Sequence, residues 1–310
     1  MDTHRVQRMA SRVFLTAVVV GLCLSIPVIA EPGTPFDAEA LRMWEEAREM
    51  AQREADFEAV SLYSEAARIE PRIVTCMLPV VFTWQAGLMR LYDMETHPDA
   101  YAGGPVPRTL DEIQAALQED WRDPQALRER GLLYAAVGGL EQAQKDFELA
   151  LTSDPEPWQV QVLLARVWMV WGEIVDHMNL AAAFAAEPPP DLPERWRDAV
   201  LSRPRELIDA AIAGGARGPY VDLTLGEVLL EEYYGDNDKA VAALAATTID
   251  HAAGVLLAVK PANRIELEVQ ALLNERLSRA RFGAGDAEGF IEPRLFDYDT
   301  SAVEALCGER

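Results

Sequence analysis

Apolar positions recur every three or four residues along most of the chain, which is the spacing of one face of an α-helix. Ala, Leu, Glu and Arg, all strong helix formers, dominate these stretches, and few segments alternate between apolar and polar residues as strands do. Local signals mark two helix starts: Thr109 with Glu112 forms a capping box, and Asp123 precedes a proline at the first helical position. The sequence therefore predicts an all-α protein.

Two apolar stretches differ from the amphipathic pattern. Residues Val74 to Tyr92 predict one long inserted helix. From Val160 to Trp171, apolar residues occur on every side, which is typical of a helix buried at the centre of a fold. The prolines 188–190 then predict an extended break between a first half, residues 31–187, and a second half, residues 191–281. The Gly-, Asp- and Glu-rich residues 282–310 predict a flexible tail.

Residues 1–30 have the pattern of a secretory signal peptide. Three arginines precede the apolar run Val13–Leu24, and small or medium residues lead to a cleavage site after Ala30. An uncleaved inner-membrane anchor is the alternative, although the run is short for a spanning helix, which needs roughly 20 residues. A lipoprotein is a further alternative, but Leu22 stands before Cys23 where a lipobox has a small residue. We expect a periplasmic or secreted protein.

Two segments share a pattern of small and aromatic residues. In both, small residues on one helix allow a second helix to approach closely, and aromatic rings fill the remaining space. The stronger segment contains Gly131, Tyr134, Gly138, Ala143, Phe147, Ala150 and Pro155. The other contains Ala47, Ala59, Tyr63, Ala66 and Pro71.

This spacing resembles the tetratricopeptide repeat, a 34-residue helix–turn–helix unit. The resemblance implies a solenoid of degenerate helical-hairpin repeats around the central helix. Ala59 and Ala143 are 84 residues apart, which is not a multiple of 34, so the array is not a simple tandem. The family also binds partners in a groove lined by the first helices of its units. The equivalent groove candidates here are Trp44, Arg48, Gln52, Arg128, Leu132 and Ala135.

The late segment from Leu225 to Ala240 (Leu-Gly…Tyr-Tyr-Gly-Asp…Lys-Ala) looks somewhat like the T component of TRAP transporters. That resemblance implies a periplasmic, repeat-containing carrier that passes small apolar ligands to a solute-binding partner. The missing lipobox is a departure from that family. If the chain is such a carrier, an apolar cavity is walled by Trp158, Trp168 and Trp171. If it is not, these tryptophans belong to an ordinary helical core.

Charge and cysteine content narrow the possible partners. The chain has 51 acidic and 28 basic residues and a net charge of −23, which disfavours nucleic acids and anionic membrane surfaces. After removal of the signal peptide, Cys76 and Cys307 are the remaining cysteines, and a disulfide between them is possible in an oxidising compartment.

No nucleophile elbow, phosphate-binding loop, dinucleotide fingerprint or paired metal-ligand motif occurs in the sequence. We therefore predict a non-enzymatic protein without cofactor or metal. Its expected role is an adaptor or scaffold that binds a protein partner. The alternative is the small apolar-ligand carrier associated with a transporter.

Overall fold

A computed structural model describes residues 36–51, 53, 56–76, 83–101, 108–184, 194–261, 263–286 and 307, with 56, 75, 83–84, 174–184 and 194–201 described by their backbone alone. These residues form twelve α-helices and one short 3-10 helix, Pro98–Tyr101, and contain no strand. The helices are α1 Ala38–Ala51, α2 Asp56–Ile69, α3 Arg72–Cys76, α4 Thr83–Thr96, α5 Leu110–Glu119, α6 Pro124–Val137, α7 Leu140–Leu151, α8 Pro157–Phe184, α9 Glu194–Gly214, α10 Pro219–Asp236, α11 Lys239–Leu256 and α12 Arg264–Ala284. The all-α prediction is confirmed.

Helices adjacent in sequence pack as pairs: α1 with α2, α6 with α7, α8 with α9, and α11 with both α10 and α12. Helix α4 connects these pairs, because it packs against α6, α8, α10 and α12. One large apolar core runs through the first nine helices, and a second lies mainly among α10, α11 and α12. The fold is therefore an assembly of helical pairs joined through α4.

The two capping signals mark the starts of helices at the positions that the sequence predicted. Thr109 and Glu112 cap α5 reciprocally, and the Asp123 carboxylate accepts hydrogen bonds from the amides of Gln125 and Ala126 at the start of α6. Helix α6 ends at Gly138, whose φ of 88° is a left-handed conformation that favours glycine. Both helix-start predictions are confirmed.

Several predicted boundaries are wrong. The segment predicted as one inserted helix contains two described helices, α3 and α4, on either side of residues 77–82. Helix α8 continues to Phe184, well beyond the apolar stretch Val160–Trp171, and α9 contains Pro204 in its interior. Helix α12 ends at Ala284, inside the predicted tail. The predicted break at prolines 188–190 lies outside the described residues.

The pair α6–α7 shows why its small residues matter. A Cβ added to Gly131 would lie 2.6 Å from Cε1 of Phe147, closer than side-chain carbons approach one another. Phe147, Ala143 and Ala150 are wholly buried at the same contact. The absence of a side chain at Gly131 thus allows α6 to lie against the Phe147 ring.

Candidate functional site

Three of the groove candidates are buried. Arg128, Leu132 and Ala135 on α6 are 4%, 2% and 3% exposed. Helix α6 is surrounded by α2, α4, α5 and α7, so the side that the repeat pattern left open is covered. The expectation that Arg128 is an exposed groove residue is therefore wrong.

Arg128 instead forms a buried ion pair. Its Nε lies 2.7 Å from Oδ1 of Asp93 on α4, and both side chains are at most 5% exposed. Asp93 also accepts a hydrogen bond from the Tyr101 hydroxyl, and Nδ1 of His97 lies 3.1 Å from Oδ1. Burial raises the pKa of Asp93, but its bonds to His97, Arg128 and Tyr101 outweigh burial and hold the pKa below its ordinary value. This cluster joins α4 to α6.

A second buried polar cluster lies where α4, α8, α10 and α12 meet. Arg166 on α8 donates from Nε to Oγ1 of Thr224 at 3.0 Å, and from Nη1 to the Glu227 carboxylate. Nη1 also donates to Oε1 of Gln85 at 3.0 Å. The other carboxylate oxygen of Glu227 accepts from Nε of Arg276 at 3.1 Å. We call Gln85, Arg166, Glu173, Thr224, Glu227 and Arg276 the Arg166 cluster.

The Arg166 cluster has spare hydrogen-bonding capacity. Nη2 of Arg166 is buried, and the described residues offer it no hydrogen-bond acceptor. Glu173 lies seven residues further along α8, hence on the same face, and is half-buried. Burial raises the pKa of Glu173 to about 8, with Glu231 and Glu227 adding to the rise and Arg276 and Gln85 opposing it. A mostly protonated Glu173 and a free guanidinium donor therefore lie on one side of α8.

The three tryptophans proposed for an apolar cavity are not brought together. Trp158 and Trp168 are ten residues apart on α8, or about 15 Å along its axis. Trp158 packs against Gly214 at the end of α9, whereas Nε1 of Trp171 donates to Oε1 of Gln144 on α7. Trp168 is 7% exposed within the main core. Trp168 and Trp171 also lie on a different side of α8 from Arg166.

Two tryptophans are stacked by arginines: Trp44, which is partly buried against the main core, and Trp121, which is exposed. The guanidinium carbon of Arg48 lies 5.0 Å from the ring centre of Trp44 on α1, and that of Arg122 lies 4.3 Å from the ring centre of Trp121. Trp121, between α5 and α6, is 59% exposed. We call these four residues the aromatic patch. The remaining groove candidate of this region, Gln52, lies outside the described residues.

Helix α2 connects the two parts of the chain that carry the aromatic patch. Helix α2 packs on both α1 and α5. The short connection between α1 and α2 makes them antiparallel, and Arg68 in the last turn of α2 interacts electrostatically with Glu112 in the first turn of α5. Helix α2 therefore contacts both α1, which carries Trp44 and Arg48, and α5, which precedes Trp121.

Cysteines and histidines serve as partners for other residues. Cys76 at the end of α3 and Cys307 are joined by a disulfide bond, next to Phe36 and Leu267. His251 bonds to the Asp222 carboxylate through Nδ1 at 2.6 Å, while the side chain of His177 lies outside the described residues. No group of three or more metal-binding side chains occurs in the part of the chain that the structure describes.

Sequence reasoning missed the Arg166 cluster, although one signal was present. Arg166 is the lone charged residue between Val160 and Trp171, and a charge on an otherwise apolar buried helix needs a partner. Glu227 and Arg276 carry no such signal, because charged residues are frequent around them.

No protein-family model matches the chain. No curated protein matches it either. Within the described ranges, no helix combines the length and apolar character needed to cross a membrane.

Proposed function

We propose that the chain is a non-catalytic, exported helical-repeat protein of the tetratricopeptide type that binds a protein partner through the aromatic patch. The observation that carries this proposal is the pair of arginine-stacked tryptophans, Trp44 with Arg48 and Trp121 with Arg122. Tryptophan and arginine are enriched among the residues that dominate binding energy at protein interfaces. An exposed tryptophan held by an arginine also loses little side-chain freedom on binding.

The disulfide between Cys76 and Cys307 supports the exported location. Such bonds persist in oxidising compartments and are rare in the cytosol. The partner that fits the aromatic patch offers an apolar pocket for Trp121 and carboxylates for Arg122 and Arg48. Each guanidinium stacks on a ring through its flat face, and the N–H donors at its edges can still bond to a carboxylate.

Quantitative affinity capture from the host's periplasmic or secreted fraction tests this role. The purified chain is compared with Trp121→Ala and with Phe282→Ala, a control that removes another exposed aromatic side chain of similar exposure (63%) on α12. We expect one protein to be enriched by the unaltered chain and by Phe282→Ala but at least tenfold less by Trp121→Ala. Circular dichroism establishes that all three are equally folded. Equal enrichment by Trp121→Ala overturns the proposed surface.

The Arg166 cluster favours a second candidate function, a carrier of small ligands like the T component of TRAP transporters. A buried, unsatisfied guanidinium donor calls for an acceptor, and a ligand oxygen could supply it. Because Trp158 lies about 15 Å along α8 from Trp168, the three tryptophans do not wall one cavity, and the ligand would be held by its polar end. Native mass spectrometry of the chain from its own host decides between the two: a small adduct that is lost in Glu173→Gln favours the carrier, and its absence from the unaltered chain excludes it.

A further inference from the structure

Arg166 has two N–H bonds that nothing in the described part of the chain accepts. A guanidinium group carries five N–H donors, and three of them bond to Thr224, Gln85 and Glu227. The remaining two are both on Nη2, which is buried and has no hydrogen-bond partner among the described residues. Arg166 is 2% exposed, so bulk water does not reach this nitrogen. Buried polar groups almost always have a partner, so Nη2 calls for an acceptor that these residues do not supply.

The countercharge of Arg166 is shared with a second arginine. Glu227 pairs with Arg166 through one carboxylate oxygen, and its other oxygen accepts from Nε of Arg276 at 3.1 Å. Both Arg166 and Glu227 are 2% exposed, so salt and water screen their charges poorly. The acceptor that suits Nη2 is therefore an anion, because a charged donor bonds most strongly to a charged oxygen.

Two neighbouring side chains also suit an anion at this place. Gln85 gives its amide oxygen to Arg166, and its Nε2 meets no acceptor within hydrogen-bonding geometry. Glu173 lies close to this amide, since Gln85 affects the Glu173 pKa, which burial raises to about 8. At neutral pH the Glu173 carboxyl group is therefore mostly protonated and does not repel an anion. Glu231, which also acts on the Glu173 pKa, is exposed, so this side of the cluster is near solvent.

We propose that the Arg166 cluster binds the carboxylate group of a small organic acid, with Nη2 of Arg166 and Nε2 of Gln85 as its hydrogen-bond donors. This inference rests on the carrier, the second candidate function, and adds the chemical class of its ligand. The two donors belong to groups in direct contact, and each oxygen of one carboxylate can accept from one of them. The depth of Arg166 favours a small molecule over a protein segment, whose backbone would bring further polar groups into the core.

Differential scanning calorimetry of the full, host-processed chain tests the class of ligand. The chain is dialysed at about pH 9 and returned to about pH 7, and its melting temperature is measured with acetate, butanoate and hexanoate at constant ionic strength. At about 10 mM, at least one acid should raise the melting temperature by about 2 °C or more. The corresponding amide, which has the same shape without the charge, should raise it by less than half as much. Equal shifts from acid and amide overturn the proposal, and so does the absence of any shift.

The pH dependence is a readout that needs no variant. Glu173 is faced by groups from three other helices: Gln85 of α4, Glu227 and Glu231 of α10, and Arg276 of α12. Above about pH 8 Glu173 loses its proton, and its negative charge then opposes a bound carboxylate. The shift caused by the acid should therefore fall at least by half between about pH 7 and about pH 9, although the acid itself is ionised throughout. An equal shift at both pH values overturns the assignment of the ligand to this cluster.

The variant Gln85→Glu locates the site, because it supplies from within the chain an anion beside Arg166. Glutamate has the shape of glutamine, and its charge competes with the ligand for the same guanidinium group. Gln85→Glu should bind the acid at least tenfold more weakly than the unaltered chain. Gln118→Glu, the same change at an exposed position on α5, should leave binding unchanged. An acid that shifts the melting temperature of Gln85→Glu as much as that of the unaltered chain binds elsewhere, and the proposal is then wrong.

Native mass spectrometry separates this inference from the carrier function itself. An adduct on the host-purified chain that is released on denaturation as an organic acid supports both. An adduct without a carboxylate group supports the carrier but overturns the proposed class of ligand. A chain that has no adduct and does not respond to any of the acids excludes both.

Discussion

Replacing Gly131 by alanine tests the close contact between α6 and α7. The added Cβ would lie 2.6 Å from Cε1 and 2.9 Å from Cδ1 of Phe147. Carbon atoms in favourable contact lie about 3.5–4.0 Å apart, so the ring must move by about 1 Å. Phe147 is wholly buried, so no solvent-filled space is available to accept the ring. The substitution therefore strains the core of this helix pair.

The expected magnitude follows from two opposing effects. Alanine improves helix propensity by about 1 kcal/mol, whereas an extra methyl group in a packed core costs about 1–3 kcal/mol. We expect Gly131→Ala to lower the free energy of unfolding by up to about 2 kcal/mol. The matched control is Gly254→Ala, which makes the same change at a helical position with nothing within 4 Å. That control should raise the free energy of unfolding by about 0.5–1 kcal/mol.

Urea denaturation followed by far-ultraviolet circular dichroism measures both variants. The double variant Gly131→Ala with Phe147→Leu should lose less stability than the sum of its single changes, because leucine vacates part of the ring volume. If Gly131→Ala raises the free energy of unfolding as much as Gly254→Ala does, the contact between Gly131 and Phe147 is not formed and the packing of this pair is refuted.

Three other predictions concern buried groups and the disulfide. Glu227→Gln should cost about 3–5 kcal/mol in urea denaturation, because it leaves Arg166 buried without a countercharge; a loss below 1 kcal/mol would contradict the pair. Burial raises the pKa of Glu173 from 4.5 to about 8, so the folded chain keeps a proton that the unfolded chain has lost. The free energy of unfolding should therefore fall as the pH rises from about 5 to 8, and Glu173 should contribute at most about 1.4 kcal/mol per pH unit to this fall. Glu173→Gln should remove that contribution from the pH dependence. Reducing the bond between Cys76 and Cys307, 231 residues apart, should lower stability by about 2–5 kcal/mol, with no effect of reductant on a Cys76→Ser variant.

Features fixed by neighbours in sequence could be predicted, and features fixed by neighbours in space could not. The caps at Thr109 and Asp123 and the approach of Gly131 to Phe147 depend on residues at most 16 positions apart, so their spacing is visible in the sequence. The burial of Arg128 depends on α4, which a helical period cannot place. A repeat pattern shows which face of a helix meets its partner but not how many other helices cover the opposite face.

The two buried ion clusters favour one arrangement of helices whose apolar faces are otherwise similar. Faces rich in Ala and Leu pack on one another with little preference, because apolar contact is not directional. A buried arginine is different: Arg166 reaches Glu227, 61 residues away, and Arg128 reaches Asp93 on α4. An arrangement that separated Arg166 from Glu227, or Arg128 from Asp93, would leave a buried charge without its partner, at a cost of several kcal/mol. The pairs therefore contribute less to net stability than to the choice of a single arrangement, and they converge on α4, the helix that joins the two cores.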